Sequence, residues 1–358
     1  MKVLSRISLV IAISLVLVML AGACAQAPAP APSPSPSPAP TPTAAPHPEV
    51  SVEFLAGQFG FDTYNMALAS ATVAKNNHPW LRIRTAESLG YVYNLERLET
   101  SPSMWGDTVI QNGDWAIRLA RTKTPPFTTQ VLGMRKLLTT TVFGHFLVSF
   151  QPGMETLKDA VGKKLGLGTP SQSDYYAVPR LLMEKGWGLL DQLDVEWIGS
   201  TKAAQSMQDG LVDAIQININ MNPDTGKWAH QPMNIQLIGT GKKLYYIDYA
   251  TPEVLDTLAK NAGFRIIPYK VPAGTLEGQD RDLNVLTSPS VLAVKDVFPE
   301  DVAYEIVKLY LDHYQEMGQY TKTAEIYSPG LFAFGLTKQD THPGAVRAFE
   351  EAGITIPD

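Results

Sequence analysis

The sequence predicts an α/β protein of two lobes carried behind an export signal and a tether. Three observations lead there. The 358 residues exceed the roughly 250–300 over which one hydrophobic core usually keeps growing. Apolar strand-like runs alternate with helical segments in two successive series. The first 48 residues have a composition that cannot bury a core. Hydrophobic residues make up 45% and charged residues 18% of the chain, which argues against general disorder and against a coiled coil. The formal charge is -6, and Lys2 and Arg6 are the only charges before Glu49. The remaining chain is therefore more acidic than the total implies, and non-specific nucleic-acid binding is disfavoured.

Residues 1–23 read as a signal peptide. Lys2 and Arg6 precede the uncharged apolar run Ile7 to Leu20, and Ala21-Gly22-Ala23 supplies small residues for cleavage. The run is shorter than the roughly 20 residues of a spanning helix, so export is favoured over a retained anchor. Cys24, the only cysteine, directly follows Leu20-Ala21-Gly22-Ala23. That arrangement resembles a bacterial lipobox and implies acylation of Cys24; cleavage to a soluble secreted protein is the alternative. One cysteine excludes an internal disulfide, so stability must come from packing. Residues 24–48 are dominated by Ala-Pro, Ser-Pro and Thr-Pro, with ten of the 27 prolines between Ala27 and Pro48. This favours an extended polyproline II tether.

Lobe I is expected over 49–150. Val50 to Ala56 predicts a buried strand, Gly57 to Asp62 a turn, Thr63 to Asn76 a helix and Leu81 to Ala86 a second strand. Tyr91 to Thr100 reads as a helix, Trp115 to Leu119 as a short strand, and Val142 to Phe150 as an apolar strand, in a largely parallel sheet. Lobe II is expected over 151–282. Leu157 to Gly168 predicts a short helical turn running through a glycine into a new strand, with a helix after Thr169 to Asp174. Strands follow at Val195 to Ile198 and Ala214 to Ile219, with a helix at Lys202 to Asp209 between them. Residues 283–358 return to lobe I through an extended stretch, Leu283 to Val294, and an amphipathic helix, Glu300 to Met317.

No Gly-x-Ser-x-Gly, Ser-x-x-Lys, His-Glu-x-x-His or phosphate-loop motif occurs. The histidines His47, His78, His145, His230, His313 and His342 are scattered singly. No catalytic residue, metal ligand or cofactor is therefore assigned, although a carboxylate pair cannot be read from sequence. What stands out is three polar turns at strand-to-helix junctions: Gly57 to Tyr64, Glu87 to Asn94 and Thr169 to Asp174. At the carboxyl ends of strands such turns gather helix-start N–H groups into a small-molecule cleft. The same residues also cap helices for purely structural reasons.

The series resembles the TAXI solute-binding subunits of TRAP (tripartite ATP-independent periplasmic) transporters over roughly residues 50–355. Asp62-Thr63-Tyr64 is similar to the end of the family's Gly-Gly-Thr-Tyr turn, and Glu87 to Leu95 to its Glu-Thr-Gly-Gly-Ser-Val-Glu-Asn-Leu segment. Gly162-Lys163-Lys164 with Gly168-Thr169-Pro170-Ser171 resembles its Gly-Lys-Arg strand and following turn. Asp209 to Ala214 matches its Asp-Gly-x-x-Asp-Ala, and His342-Pro343-Gly344-Ala345 its C-terminal His-Pro-Gly-Ala. The departures are Phe61-Asp62 for paired glycines, Tyr91 for serine, and Arg118 to Arg121 where the family has Gln/Asn and Asp.

The resemblance implies a type II periplasmic-binding-protein fold, two α/β lobes joined by a hinge, which hands a small organic acid to a TRAP permease. The product would be a monomer held at the membrane by its lipid. An ABC importer subunit of the same fold, or an exported enzyme, are the alternatives. Candidate ligand-binding residues are Phe59, Thr63, Tyr64 and Tyr91 from the first lobe, and Thr169, Ser171, Gln172 and Ser173 from the second. Arg121 is the competing anchor for a carboxylate, within a basic cluster with Arg118 and Lys123. Trp115 and Trp197 are expected in the core.

Overall fold

The structure, a computed structural model, describes residues 47–358; the signal peptide, Cys24 and nearly all of the tether lie outside the described residues. The first series runs β1 (Val50–Leu55), α1 (Asp62–Asn77), β2 (Leu81–Ala86), α2 (Tyr91–Glu99), β3 (Thr108–Gly113), α3 (Asp114–Arg121) and β4 (Met134–Ser149). The second is β5 (Lys164–Leu167), α4 (Ala177–Leu181), β6 (Asp194–Trp197), α5 (Ser200–Gln208) and β7 (Ala214–Asn222). Then come β8 (Lys227–His230), α6 (Pro232–Ile238), β9 (Tyr245–Ile247), α7 (Pro252–Ala262), β10 (Tyr269–Val271) and β11 (Leu283–Lys295). The chain closes with α8 (Glu300–Met317), α9 (Pro329–Ala333) and α10 (Pro343–Glu351).

The strands pair in the order β2-β1-β3-β11-β4-β7-β5-β6, with β10 beside β11, β8 beside β7 and β9 beside β4. At one end β1 lies between β2 and β3, all parallel. At the other end β5 lies in the same way between β6 and β7. The two halves thus repeat one topology, in which the chain leaves a central strand, adds a neighbour on one side, then crosses to the other. Joining them are β11 and β4, of 13 and 16 residues, which run antiparallel to each other and serve both halves. Their pairing shifts register at Ser290/Val291 and again at Leu292/Ala293, as a bulge does where a strand must bend.

The sheet is therefore mixed, parallel within each half and antiparallel across the centre, where the sequence led to a largely parallel one. β4 also begins eight residues before the expected Val142, because the buried Thr139 and Thr140 have hydroxyls that find backbone partners. Thr139 Oγ1 donates to the carbonyl of Phe334 at 2.7 Å, and Thr140 Oγ1 to that of Ser290 at 3.1 Å. The expected strand Trp115 to Leu119 is the middle of helix α3. Its buried residues Trp115, Ala116, Leu119 and Ala120 follow helical spacing, with Ile117 on the adjoining flank. The strand of this unit is instead β3, which has a polar end. Gln111 and Asn112 can be strand residues because their amides are used, Gln111 on Thr140 and Ser290 and Asn112 on the carbonyl of Tyr91.

Alternation along the strands sends side chains to two apolar cores, one on each face. Phe54, Val109, Phe146, Ile217 and Leu292 point to one, which α1, α5, α8 and α10 cover. Leu55, Ile110, Leu147 and Val291 point to the other, covered by α2, α3, α4 and α7. Trp115 is buried in this second core, and Trp197 packs half-buried at its margin. Each core runs through both halves of the sheet, because β4 and β11 are long enough to be shared.

Candidate ligand-binding cavity

The repeat in topology places the turn after β1 and the turn after β5 at equivalent switch points, the crevice where open α/β sheets bind ligands. A cavity lies between them. The turn after β1 supplies Gly57, Gln58, Phe61, Asp62 and Thr63, and the turn after β2 supplies Leu89, Gly90 and Tyr91. Facing them are Gln172, Ser173, Asp174 and Tyr175 after β5, Ser200 at the start of α5, and Gln231 before α6. The floor is the shared centre of the sheet: Phe143 and His145 from β4, and Asn218 from β7.

The floor follows from one strand pattern. Along β7 the apolar Ile215, Ile217, Ile219 and Met221 alternate with Gln216, Asn218, Asn220 and Asn222, and every one is buried. Antiparallel pairing sets His145 opposite Asn218, so imidazole and amide share a face. Gln216 Nε2 donates to the carbonyl of Asp174 at 2.8 Å and lies 3.0 Å from His145 Nδ1. An amide N–H only donates, so Nδ1 accepts and the ring proton sits on Nε2. That Nε2, on a fully buried ring, has no hydrogen-bond partner and lies 3.7 Å from Asp174 Oδ2. Tyr175 stands edge-on to His145, with ring centroids 5.2 Å apart, and its hydroxyl donates to Asn218 Oδ1 at 2.8 Å.

Two carboxylates are buried in the walls. Asp174, 4% exposed, accepts from the hydroxyls of Ser173 and Ser288. Asp62, also 4% exposed, accepts from Gln231 Nε2 at 2.8 Å. Burial raises the Asp62 pKa to about 6, against hydrogen bonds from Gln231 and the backbone N–H of Thr63 that pull it down. The start of α1 is thus already served by the protein's own carboxylate. Burial, reinforced by the neighbouring Asp174 and Asp62 charges, raises the Tyr91 phenol, and burial followed by Asp62 and Asp174 raises that of Tyr175. Both hydroxyls remain protonated donors. Among the described residues, no group of three or more His, Cys, Asp and Glu side chains could hold a metal ion.

Of the residues nominated from sequence, Thr63, Tyr91, Gln172 and Ser173 meet in this cavity. Tyr91 donates to or accepts from Ser290 of the joining strand β11, with the oxygens 2.8 Å apart. Gln172 Nε2 donates to Ser200 Oγ at 2.7 Å while its Oε1 accepts from the N–H groups of Thr169 and Ser200, tying the turn to helix α5. Thr169 and Ser171 pair their hydroxyls at 3.0 Å beside the cavity rather than in its lining. Phe59 is 74% exposed at an adjoining surface hollow, edge-on to the half-buried Tyr64. Arg121 does not line the cavity: it pairs with Asp340 at 3.1 Å, and Arg118 with Asp114 at 2.9 Å. Arg121 thereby ties α3 to the C-terminal segment, while Arg118 pairs within α3 itself.

Asp62, His145, Asp174, Ser200, Asn218 and Gln231 also line the cavity, and none is among the residues nominated from sequence. Asp62 and Asp174 stand inside the very turns singled out. The alternation of Ile with Gln and Asn along β7 was the one available signal for Asn218.

A sheet with two matching switch points, two shared strands and a cavity between the matching turns is the type II periplasmic-binding-protein fold, with two α/β lobes. Residues 64–353 match the NMT1-like family, and the chain belongs to it. An R. palustris protein solved with adipate is similar in fold, with TM-score 0.50 at 12% identity over 78% of this chain and 88% of the other. MatC from Rhodopseudomonas palustris, solved with bound malate, gives TM-score 0.48 at 16% identity, covering 78% of this chain and 90% of its own. The periplasmic binding protein BugD gives TM-score 0.47 at 13% identity, covering 87% of this chain and all of BugD. Among curated proteins none matches.

Proposed function

We propose that this chain is an exported receptor that captures a small solute between two lobes and delivers it to a membrane permease. The observation that carries the proposal is the cavity walled by equivalent turns from both halves of one sheet. Binding is the activity that this arrangement supports, since polar groups from both halves converge on one space. We take 49–150 and 151–282 as the lobes, with 283–358 returning to the first. The permease is of the TRAP type on the ordered motifs of the sequence, with an ABC importer as the competing partner. Which permease gene adjoins this one discriminates between them.

A small organic acid was the ligand class expected with a TRAP partner. The charge of the cavity does not favour it, since two buried carboxylates line the space while Arg121 is paired elsewhere. The receptor proposal stands without that ligand class.

Closure is testable by solution scattering on the full-length monomer. Adding a bacterial small-molecule extract is expected to reduce the radius of gyration, as a ligand touching both lobes shifts the population towards the closed form. Gly90 provides the control. It sits at φ +132°, where a Cβ would come 2.7 Å from the carbonyl of Ser171 across the cavity. Gly90→Ala is expected to hold the two turns apart and blunt the contraction, whereas Gly60→Ala, at φ +87° in open space, leaves it intact. Binding with an unchanged radius in the wild type refutes the clamp.

Export and anchoring are proposed from residues 1–48: signal cleavage before Cys24, acylation of Cys24, and a proline tether. No helix among the described residues is long and apolar enough to cross a membrane. Palmitate is expected to label the wild type and not Cys24→Ser. Absence of label in both leaves a soluble secreted protein or a retained signal anchor.

A further inference from the structure

We infer that the solute is a small organic cation, whose protonated nitrogen lies between Asp62 and Asp174 and whose apolar body packs on Tyr91, Phe143 and Tyr175. This rests on the receptor proposal and assigns its substrate class. Asp62 and Asp174 come from the two equivalent turns, one in each half of the molecule, so a cation between them would be held from both sides. Neither has an Arg or Lys among the cavity residues to neutralise it. Their partners are Gln231, Ser173 and Ser288, which donate hydrogen bonds without bringing charge. A buried carboxylate so placed is costly until a cation meets it, and an anion entering the same space would add a third negative charge.

Two independent features point to the same occupant. The aromatic side chains of Tyr91, Phe143 and Tyr175 line a space that a positive nitrogen can share favourably. His145 Nε2, on a ring with no exposed surface, is without a partner at the floor and 3.7 Å from Asp174 Oδ2. As an N–H donor it asks for one acceptor, a hydroxyl or carbonyl oxygen, close to the ligand's nitrogen. The occupant is therefore an ammonium compound with one nearby oxygen and a compact apolar body. It is not a dicarboxylate.

The test compares ligands matched in shape and differing in charge. Tyramine is set against 3-(4-hydroxyphenyl)propionate, choline against 3,3-dimethylbutanol, and ethanolamine against glycolate, by calorimetry and thermal shift on the full-length protein. At least one cation is expected to bind tenfold or more tightly than its anionic or neutral match. Asp174→Asn is expected to remove that preference while retaining the Ser173 hydrogen bond at its amide oxygen. Should this variant unfold, the wild-type charge comparison decides alone. Tighter binding of an acid or an alcohol overturns the cation assignment and leaves the receptor standing. Failure of all three cations overturns it as well. A small-molecule extract that then still stabilises the protein preserves the receptor proposal, and an extract without effect removes that too.

Discussion

Lys136→Met is expected to destabilise the protein by about 3–5 kcal/mol, the usual cost of leaving one side of a buried ion pair without its partner. Lys136 lies in β4 and is only 3% exposed, yet its ammonium meets Asp114 at 2.5 Å and Asp340 at 3.7 Å. The same stretch of backbone is bound into the C-terminal segment: Lys136 N–H donates to the carbonyl of Asp340 at 2.8 Å, and His342 N–H donates to that of Lys136 at 2.9 Å. Asp340 is held below the ordinary carboxylate range although burial opposes this, because Lys136 and Arg121 outweigh it. Removing the ammonium strands Asp114, buried with only the half-exposed Arg118 to meet it. Urea unfolding of the variant is the measurement. Adding Asp114→Asn to Lys136→Met is expected to recover part of the loss, since the stranded charge goes with it. Two variants whose effects simply add would show that the pair is not coupled.

Asp62→Asn is expected to act in the opposite direction and stabilise the ligand-free protein by ~3 kcal/mol at neutral pH. This follows from the difference between a pKa of about 6 and the ordinary 3.8, at about 1.36 kcal/mol per tenfold. A carboxyl whose pKa is raised by folding favours the native state least once both states are ionised. Below pH 3.8 the group is protonated in both states and costs nothing. Between 3.8 and about 6 the unfolded chain ionises and the folded one resists, so native stability falls as pH rises, and above about 6 the loss is complete. The gain from Asp62→Asn should accordingly disappear below about pH 4. Equal gains at pH 3.5 and pH 7.5 would mean that the benefit is packing rather than relief of a buried charge. A residue that costs stability in the free protein, and faces a cavity, fits a group retained for its ligand.

Residues 47–358 show how far local pattern carries. The boundaries of β2 and α8 are those read from alternation and amphipathicity, and the turns at 57–64, 87–94 and 169–174 do lead into the cavity or its rim. These are short-range properties, set by neighbours two to four residues apart. Trp115 to Leu119 went astray because five apolar-rich residues satisfy either period, and packing beneath the sheet chose the helix. The polar end of β3 is not legible from local pattern, because the Gln111 amide is satisfied by Thr140 and Ser290, partners 29 and 179 residues away.

By itself the sequence determined the α/β class, several of its strands and helices, the acidic balance and the turns from which a site is built, since all of these rest on local spacing and composition. The tertiary structure decided which side chains face the space. It turned Arg121 to Asp340, placed Asp62 and Asp174 in opposite walls, and brought His145 level with Asn218 on the floor. The reason is physical. A charge is read by its surroundings, and only folding decides whether a carboxylate meets an arginine, water or an enclosed cavity.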